Sequence, residues 1–349
     1  MPSQNGRIHH IAKPFWQDRE EFTTRPFCGG VMCNPGADMD IFLHIGAHRA
    51  ASTSFQHYMR ANKVELRARG VAFWGPVRLR NGLLHGLMPV PSRRSMAQQM
   101  ARAQGRIALK LAKLEDRGFD RLVISDENMM GSMRHNMRDG CLYSAVGERM
   151  ARYHAAFGTR VRRVTISLRT PQEYWESAFA YCLMRAGQVP DAGRVARIAA
   201  MRRSWRDVIT DIACAMPGVE IVALAHESSG GHAGTRLAAL LGDGEVPVHH
   251  AHMVRNARPT MSELRSQMDA CGALGNAQSL GRDALDFLTD ETRAAMAEGY
   301  QDDLLWLRAG ADGLARFCEE TVPEKAGINP VHGAPERGQV HGTQRRHMA

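Results

Sequence analysis

The sequence predicts an α/β fold in three layers, with a mainly parallel central sheet covered by helices on both faces. Two observations predict it. Short apolar runs rich in branched side chains recur at residues 41–45, 121–125, 162–168 and 219–224, and stretches of helical periodicity separate them. The first run leads into a turn of mostly small residues, 46–51, and then into a helical pattern opened by Ser52. Strand, small-residue turn and helix is the layout of a phosphate-binding loop, where free backbone N–H groups and the helix dipole favour an anion.

Residues 1–38 lack periodicity and carry Pro14, Pro26, Gly29, Gly30 and Pro35, so they read as an irregular extension, with Phe15, Trp16 and Phe22 able to dock it. The domain proper is expected over 39–322. After the first strand, Phe55, Met59 and Leu66 share one face of a helix that Gly70 stops. Residues 71–74 read as a short strand ended by Gly75-Pro76, and a loop with Arg78, Arg80, Asn81 and His85 follows. A long helix is predicted over 96–117, with Met100, Ile107, Leu111 and Leu114 on one face. The strand at 121–125 runs into Asp126-Glu127-Asn128, and 129–142, with Gly131 and Gly140, reads as a mobile loop. Residues 145–157 are helical. The strand at 162–168 follows, and Pro171 suits the first turn of a helix reaching Met184. One more helix is predicted over 195–215, a strand over 219–224 and a short helix over 235–241. From 261 to 317 the pattern is helical only. The tail, 323–349, is rich in Gly, Pro, Arg and His and reads as disordered.

At 349 residues the chain can bury a large core, as one domain with tails or as two smaller ones. The net charge of +9 points to acidic partners, such as a nucleotide with several phosphates, an anionic glycan or nucleic acid; an Arg-rich surface alone would also produce it. No aromatic-interleaved basic patch singles out nucleic acid. Seven cysteines without a Cys-x-x-Cys pair fit a reducing compartment. No apolar run reaches the roughly 18 residues of a membrane span, and the N-terminus lacks an apolar signal core, so a cytoplasmic location is expected. His44-x-x-x-His48 crosses a strand end and a turn without a carboxylate, and His249-His250-x-His252 is a loop cluster, so no metal is expected.

The stretch His44-Ile45-Gly46-Ala47-His48-Arg49-Ala50-Ala51-Ser52-Thr53-Ser54-Phe55-Gln56 departs from the common phosphate loop, which closes with Gly-Lys-Ser/Thr. It resembles instead the 5′-phosphosulfate loop of sulfotransferases that use 3′-phosphoadenosine-5′-phosphosulfate (PAPS), and the match continues through Asn62 and Leu66 to Arg69-Gly70-Val71. Arg49 stands where that family has its catalytic Lys, and Ala51 where it has the loop Gly. A second signature is similar. A strand ends at Arg169 and Ser177 follows eight residues later, the pair that in the family holds the nucleotide 3′-phosphate. The planar fork of Arg suits a phosphate, and Ser177 can add a hydroxyl from the second helical turn.

The resemblance covers roughly residues 40–180 and implies a phosphate-loop sulfotransferase fold, PAPS as co-substrate and a hydroxyl acceptor, with a carbohydrate or lipid-linked glycan as one class. It implies nucleotide contacts from Gly46, Ala47, His48, Arg49, Ala50, Ala51, Ser52, Thr53, Ser54, Arg169 and Ser177. Arg49 would stabilise charge on the departing oxygen. Glu127, past a strand end and part of Ser125-Asp126-Glu127, is the candidate base, and His85 its rival. Ala51 would strain the loop by about 1 kcal/mol if its position requires a positive φ. Two alternatives stay open: a binding protein of the same fold without turnover, and a phosphoryl-transfer enzyme, against which the missing Lys-Ser/Thr pair counts.

Overall fold

The structure, a computed structural model, describes residues 38–187, 191–229, 232–255, 259–270 and 288–319. The expectations for most of the N-terminal extension and for the 323–349 tail lie outside the described residues. Six strands, β1 (Asp40–His44), β2 (Val71–Trp74), β3 (Arg121–Ser125), β4 (Val161–Leu168), β5 (Glu220–Ala225) and β6 (Arg316–Cys318), form one sheet in the order β2-β3-β1-β4-β5-β6. Every pairing is parallel.

The alternation of side chains along the strands builds the three layers. Ile41 and Leu43 of β1, with Leu122 and Ile124 of β3, enter one large core. Phe42 and Val123, the residues between them, enter a second core on the opposite face. The second core is closed by α1 (Ser52–Ala61), through Phe55, Tyr58 and Met59, and by the helix Ala233–Leu241, through Leu237 and Leu240. The first is closed by the helices Met96–Glu115, Val146–Phe157, Trp205–Ala215 and Asp290–Arg308, which supply Ile107, Met150, Ile209 and Leu304.

Several predicted boundaries shift. The helix after the loop is two pieces, Ser52–Ala61 and Lys63–Ala68, parted at Asn62, whose side chain bonds Tyr58 O (3.0 Å) and His249 O (2.9 Å). The segment predicted as a mobile loop contains a helix, Met133–Asp139. Ser132 caps its start, and Gly140, with φ 63°, is its left-handed C-terminal residue rather than a mark of mobility. The single helix predicted over 195–215 is two, Ala192–Ala199 and Trp205–Ala215, because Ser204 and Asp207 form a capping box that starts the second. The stretch read as helical only ends in β6, three residues too short to carry a periodicity.

The chain leaves β1 toward β2 on one side of the sheet and leaves β4 toward β5 on the other. The carboxyl ends of β1 and β4 therefore flank the point where strand order reverses, where an open parallel sheet has its crevice. The 46–51 loop and Arg169 stand at these two ends.

Candidate functional site

The loop after β1 is built in two halves. Its first half continues the sheet: Ile45 N–H donates to Thr165 O (3.1 Å), Ser167 N–H to Gly46 O (2.6 Å) and Ala47 N–H to Ser167 O (2.9 Å). Gly46 has φ 111°, and a Cβ there would sit 3.1 Å from Glu127 Cβ and 3.3 Å from Met130 Cε, so the loop and the Glu127 segment approach through a glycine. The second half turns left-handed at Arg49 (φ 62°) and Ala51 (φ 57°). Ala51 thus occupies the conformation that a glycine takes without strain, at a cost of about 1 kcal/mol. Ser52 Oγ donates back to Ala47 O (3.1 Å) and closes the turn. The N-cap of α1 is Ala51, with no side-chain hydrogen bond, so the first N–H groups of the helix are left to a ligand or solvent.

Arg49, Arg169 and Ser177 meet beside this turn. Arg49 Nε donates to Ser177 Oγ (2.8 Å), across 128 residues of sequence. Arg169 Nη1 donates to Arg49 O (2.5 Å), and its other nitrogens hold Glu173 (3.1 and 3.3 Å). The Arg49 guanidinium also lies 5.4 Å from the Tyr181 ring centre, one helical turn beyond Ser177, and Arg185 lies 5.4 Å from the same ring.

The end of β3 supplies the opposite wall. Glu127 accepts from Gln56 Nε2 (3.0 Å) and from Arg80 Nη2 (3.0 Å), and Arg80 grips Asp126 with two bonds (3.0 and 2.6 Å). Burial pushes the Glu127 carboxyl up, but the charge His48 carries when protonated, the Glu127 backbone N–H, Arg80 and the Gln56 amide outweigh it and hold its pKa below the ordinary value. Glu127 is therefore ionised at neutral pH. His44 is fully buried, with Nδ1 2.8 Å from Ser125 Oγ. Burial, helped by Arg236 and opposed by Glu127, lowers its pKa to about 3. Burial also lowers His48, so both histidines are neutral at pH 7. The Asn128 amide is assigned with its oxygen toward Arg80 (2.9 and 3.3 Å) and its nitrogen toward His48 Nε2 (3.0 Å). That leaves His48 Nδ1 to donate to Tyr143 Oη (2.8 Å), which also accepts the His48 backbone N–H (3.0 Å).

Between these walls lies a cavity of about 600 Å³. Arg49, Arg80, Arg134, Arg138, Arg169, Arg185, Arg194 and Arg255 line it, and Glu127 is the one carboxylate among the lining residues. Arg80, Arg138, Arg169 and Arg194 are paired with Asp126 and Glu127, Asp139, Glu173 and Asp191, yet positive charge still prevails around the cavity and, with the uncapped start of α1, suits a ligand with several negative charges.

The structure sorts the sequence-predicted residues. His48, Arg49, Ala51, Ser52, Thr53, Glu127 and Arg169 line the cavity. Gly46 and Ala47 are buried in the half of the loop tied to the sheet, Ala50 is buried in the left-handed half, and Ser54 faces Arg255, accepting its N–H at 2.9 Å. Ser177 is fully buried and reaches the cavity only through Arg49. His85 is exposed, outside the cavity lining, and its carbonyl accepts from Arg106. Sequence reasoning missed Gln56, Arg80, Tyr181 and His226. Tyr181 had a readable signal, four residues after Ser177 on one helix face. Gln56 stood in the stretch that resembles the phosphosulfate loop but was given no role, and Arg80 and His226 depend on chain crossings that no local pattern records.

Among the described residues no group of three or more His, Cys, Asp or Glu is placed to hold a metal ion, and no helix is long and apolar enough to cross a membrane. In comparisons with known proteins the chain matches no family model, no curated protein and no solved structure.

Proposed function

We propose that the protein is a sulfotransferase that takes the sulfuryl group of PAPS and passes it to a hydroxyl acceptor, a carbohydrate or lipid-linked glycan being the class the resemblance implies. The observation that carries this reading is the meeting of Arg49, Arg169 and Ser177 beside the open N-terminus of α1. Two stretches that resemble the nucleotide-binding signatures of one enzyme family converge on one cationic cavity.

In this reading the α1 terminus, Ser52 and Thr53 hold the 5′-phosphosulfate, and Arg169 reads the 3′-phosphate. Ser177 acts by holding Arg49. The acceptor oxygen attacks sulfur in line, and the bond from sulfur to the phosphate oxygen breaks. Adenosine 3′,5′-bisphosphate leaves, with Arg49 beside the oxygen on which charge develops. The acceptor proton passes to Glu127, which is ionised and needs only to release Arg80 or Gln56 to receive it. Met133, Met137 and Tyr181 offer an apolar wall for the acceptor, flanked by Arg134 and Arg185.

The test is incubation with PAPS labelled in its sulfuryl group, alone and with glycan acceptors. Label transferred to an acceptor, or released as sulfate, supports the reading. Nucleotide binding without either outcome favours the alternative of a binding protein with the same fold.

A further inference from the structure

We infer that His226 is a further ligand-binding residue of this cavity, held by Arg236 as the neutral tautomer that presents Nε2–H to the phosphate read by Arg169. The inference rests on the nucleotide reading above and adds a contact that the two signatures do not contain.

His226 is the first residue after β5, beside the end of β4 in the sheet, and is one of the residues that line the cavity. Glu227 fastens the two strand ends together. Its Oε1 accepts from Thr170 N–H (2.8 Å) and Thr170 Oγ1 (3.2 Å), and its Oε2 accepts from Tyr300 Oη (2.9 Å). His226 is thereby fixed next to the segment that carries Arg169.

Behind His226 lies Arg236, on the helix Ala233–Leu241, a guanidinium with no exposed surface. Its Nη2 is 3.2 Å from His226 Nδ1. A guanidinium has only donors, so the imidazole must offer a lone pair at Nδ1. Its proton is then on Nε2, the ring nitrogen for which no partner is found among the described residues. The charged groups that act on this imidazole are cationic, Arg236 and Arg169, while Glu227 is engaged by Thr170 and Tyr300. Burial first, then Arg236 and Arg169, lower the His226 pKa to about 4. The ring stays neutral across the physiological range and donates without adding a charge.

The experiment combines two readouts on the full chain. Long-range nitrogen–proton spectra of the free protein at pH 7, with His226→Gln for assignment, should show His226 protonated at Nε2 alone. Titration with adenosine 3′,5′-bisphosphate should shift that resonance, and His226→Phe should weaken this ligand about tenfold while changing AMP little. Arg236→Met removes the donor that fixes the tautomer, so in that variant the same spectra should lose the single Nε2–H form. If His226 is protonated at Nδ1, or if His226→Phe binds the bisphosphate like the wild type, the inference fails alone. If the wild type binds no adenosine 3′,5′-bisphosphate, the nucleotide reading fails and this inference with it.

Discussion

Arg49 Nε and Ser177 Oγ, 128 residues apart in sequence, share a hydrogen bond of 2.8 Å. The bond ties the turn after β1 to the helix after β4 and, with the Tyr181 ring, orients the Arg49 guanidinium. Ser177→Ala should weaken adenosine 3′,5′-bisphosphate by about 0.5–1.5 kcal/mol. If Ser177 acts through Arg49, the losses from Ser177→Ala and Arg49→Ala will not add, and calorimetry on the double variant measures the shortfall. Additive losses would mean that Ser177 touches the ligand by itself.

Ala51 carries a φ of 57° at the N-cap of α1. Ala51→Gly should stabilise the fold by up to roughly 0.6 kcal/mol, the relief of left-handed strain less the added freedom of the unfolded chain. Urea unfolding gives the answer through the midpoint at constant slope. A destabilised variant would mean that the turn does not hold this conformation in solution.

Buried neutral histidines set an acid limit on the fold. The folded pKa of His44, about 3, and of His226, about 4, both lie below the unfolded value of 6.5. Between these values the unfolded chain binds more protons, so their contribution is complete above pH 6.5 and is lost as pH falls toward 3. Each group can add a slope of up to about 1.4 kcal/mol per pH unit. Denaturant midpoints at pH 7.5, 6 and 5 should fall with pH, and His44→Asn should flatten the fall. A midpoint independent of pH over this range contradicts the assignment.

Glu127, held below the ordinary carboxylate range, should stay an ionised base into mild acid. Glu127→Gln should retain donor binding and lose turnover by about 10²–10⁴-fold, whereas His85→Ala, at an exposed position outside the cavity, should change little. Protonation of Glu127 should limit turnover only below the ordinary Glu range. A large loss in the His85 variant would move the base to that loop.

What the sequence made legible follows from range. The strands at 71–74 and 121–125 coincide with their apolar runs, and the loop before Ser52 was readable because its chemistry is local. The helix Met133–Asp139 was hidden because its cap and Gly140 resemble loop residues when tertiary contacts are unseen. Arg49 and Arg169 were legible as candidates, but the use of Ser177 to hold Arg49, and of Arg80 to hold Asp126 and Glu127, depends on which chain ends the sheet brings together. His226 carries no local signal at all, since its role depends on Arg236 behind it and on Glu227 bridging to Thr170.

The central claim is that the cavity reads a 3′-phosphorylated nucleotide, and side-by-side calorimetry tests it most directly. Adenosine 3′,5′-bisphosphate, AMP, and ATP with Mg²⁺ are titrated into the wild type and Arg169→Ala. The bisphosphate should bind the wild type most tightly, and Arg169→Ala should cost it about 1.5–3 kcal/mol, the range for hydrogen bonds to charged groups, while AMP changes much less. Equal losses for both ligands, or a wild type that prefers ATP with Mg²⁺, would contradict the account.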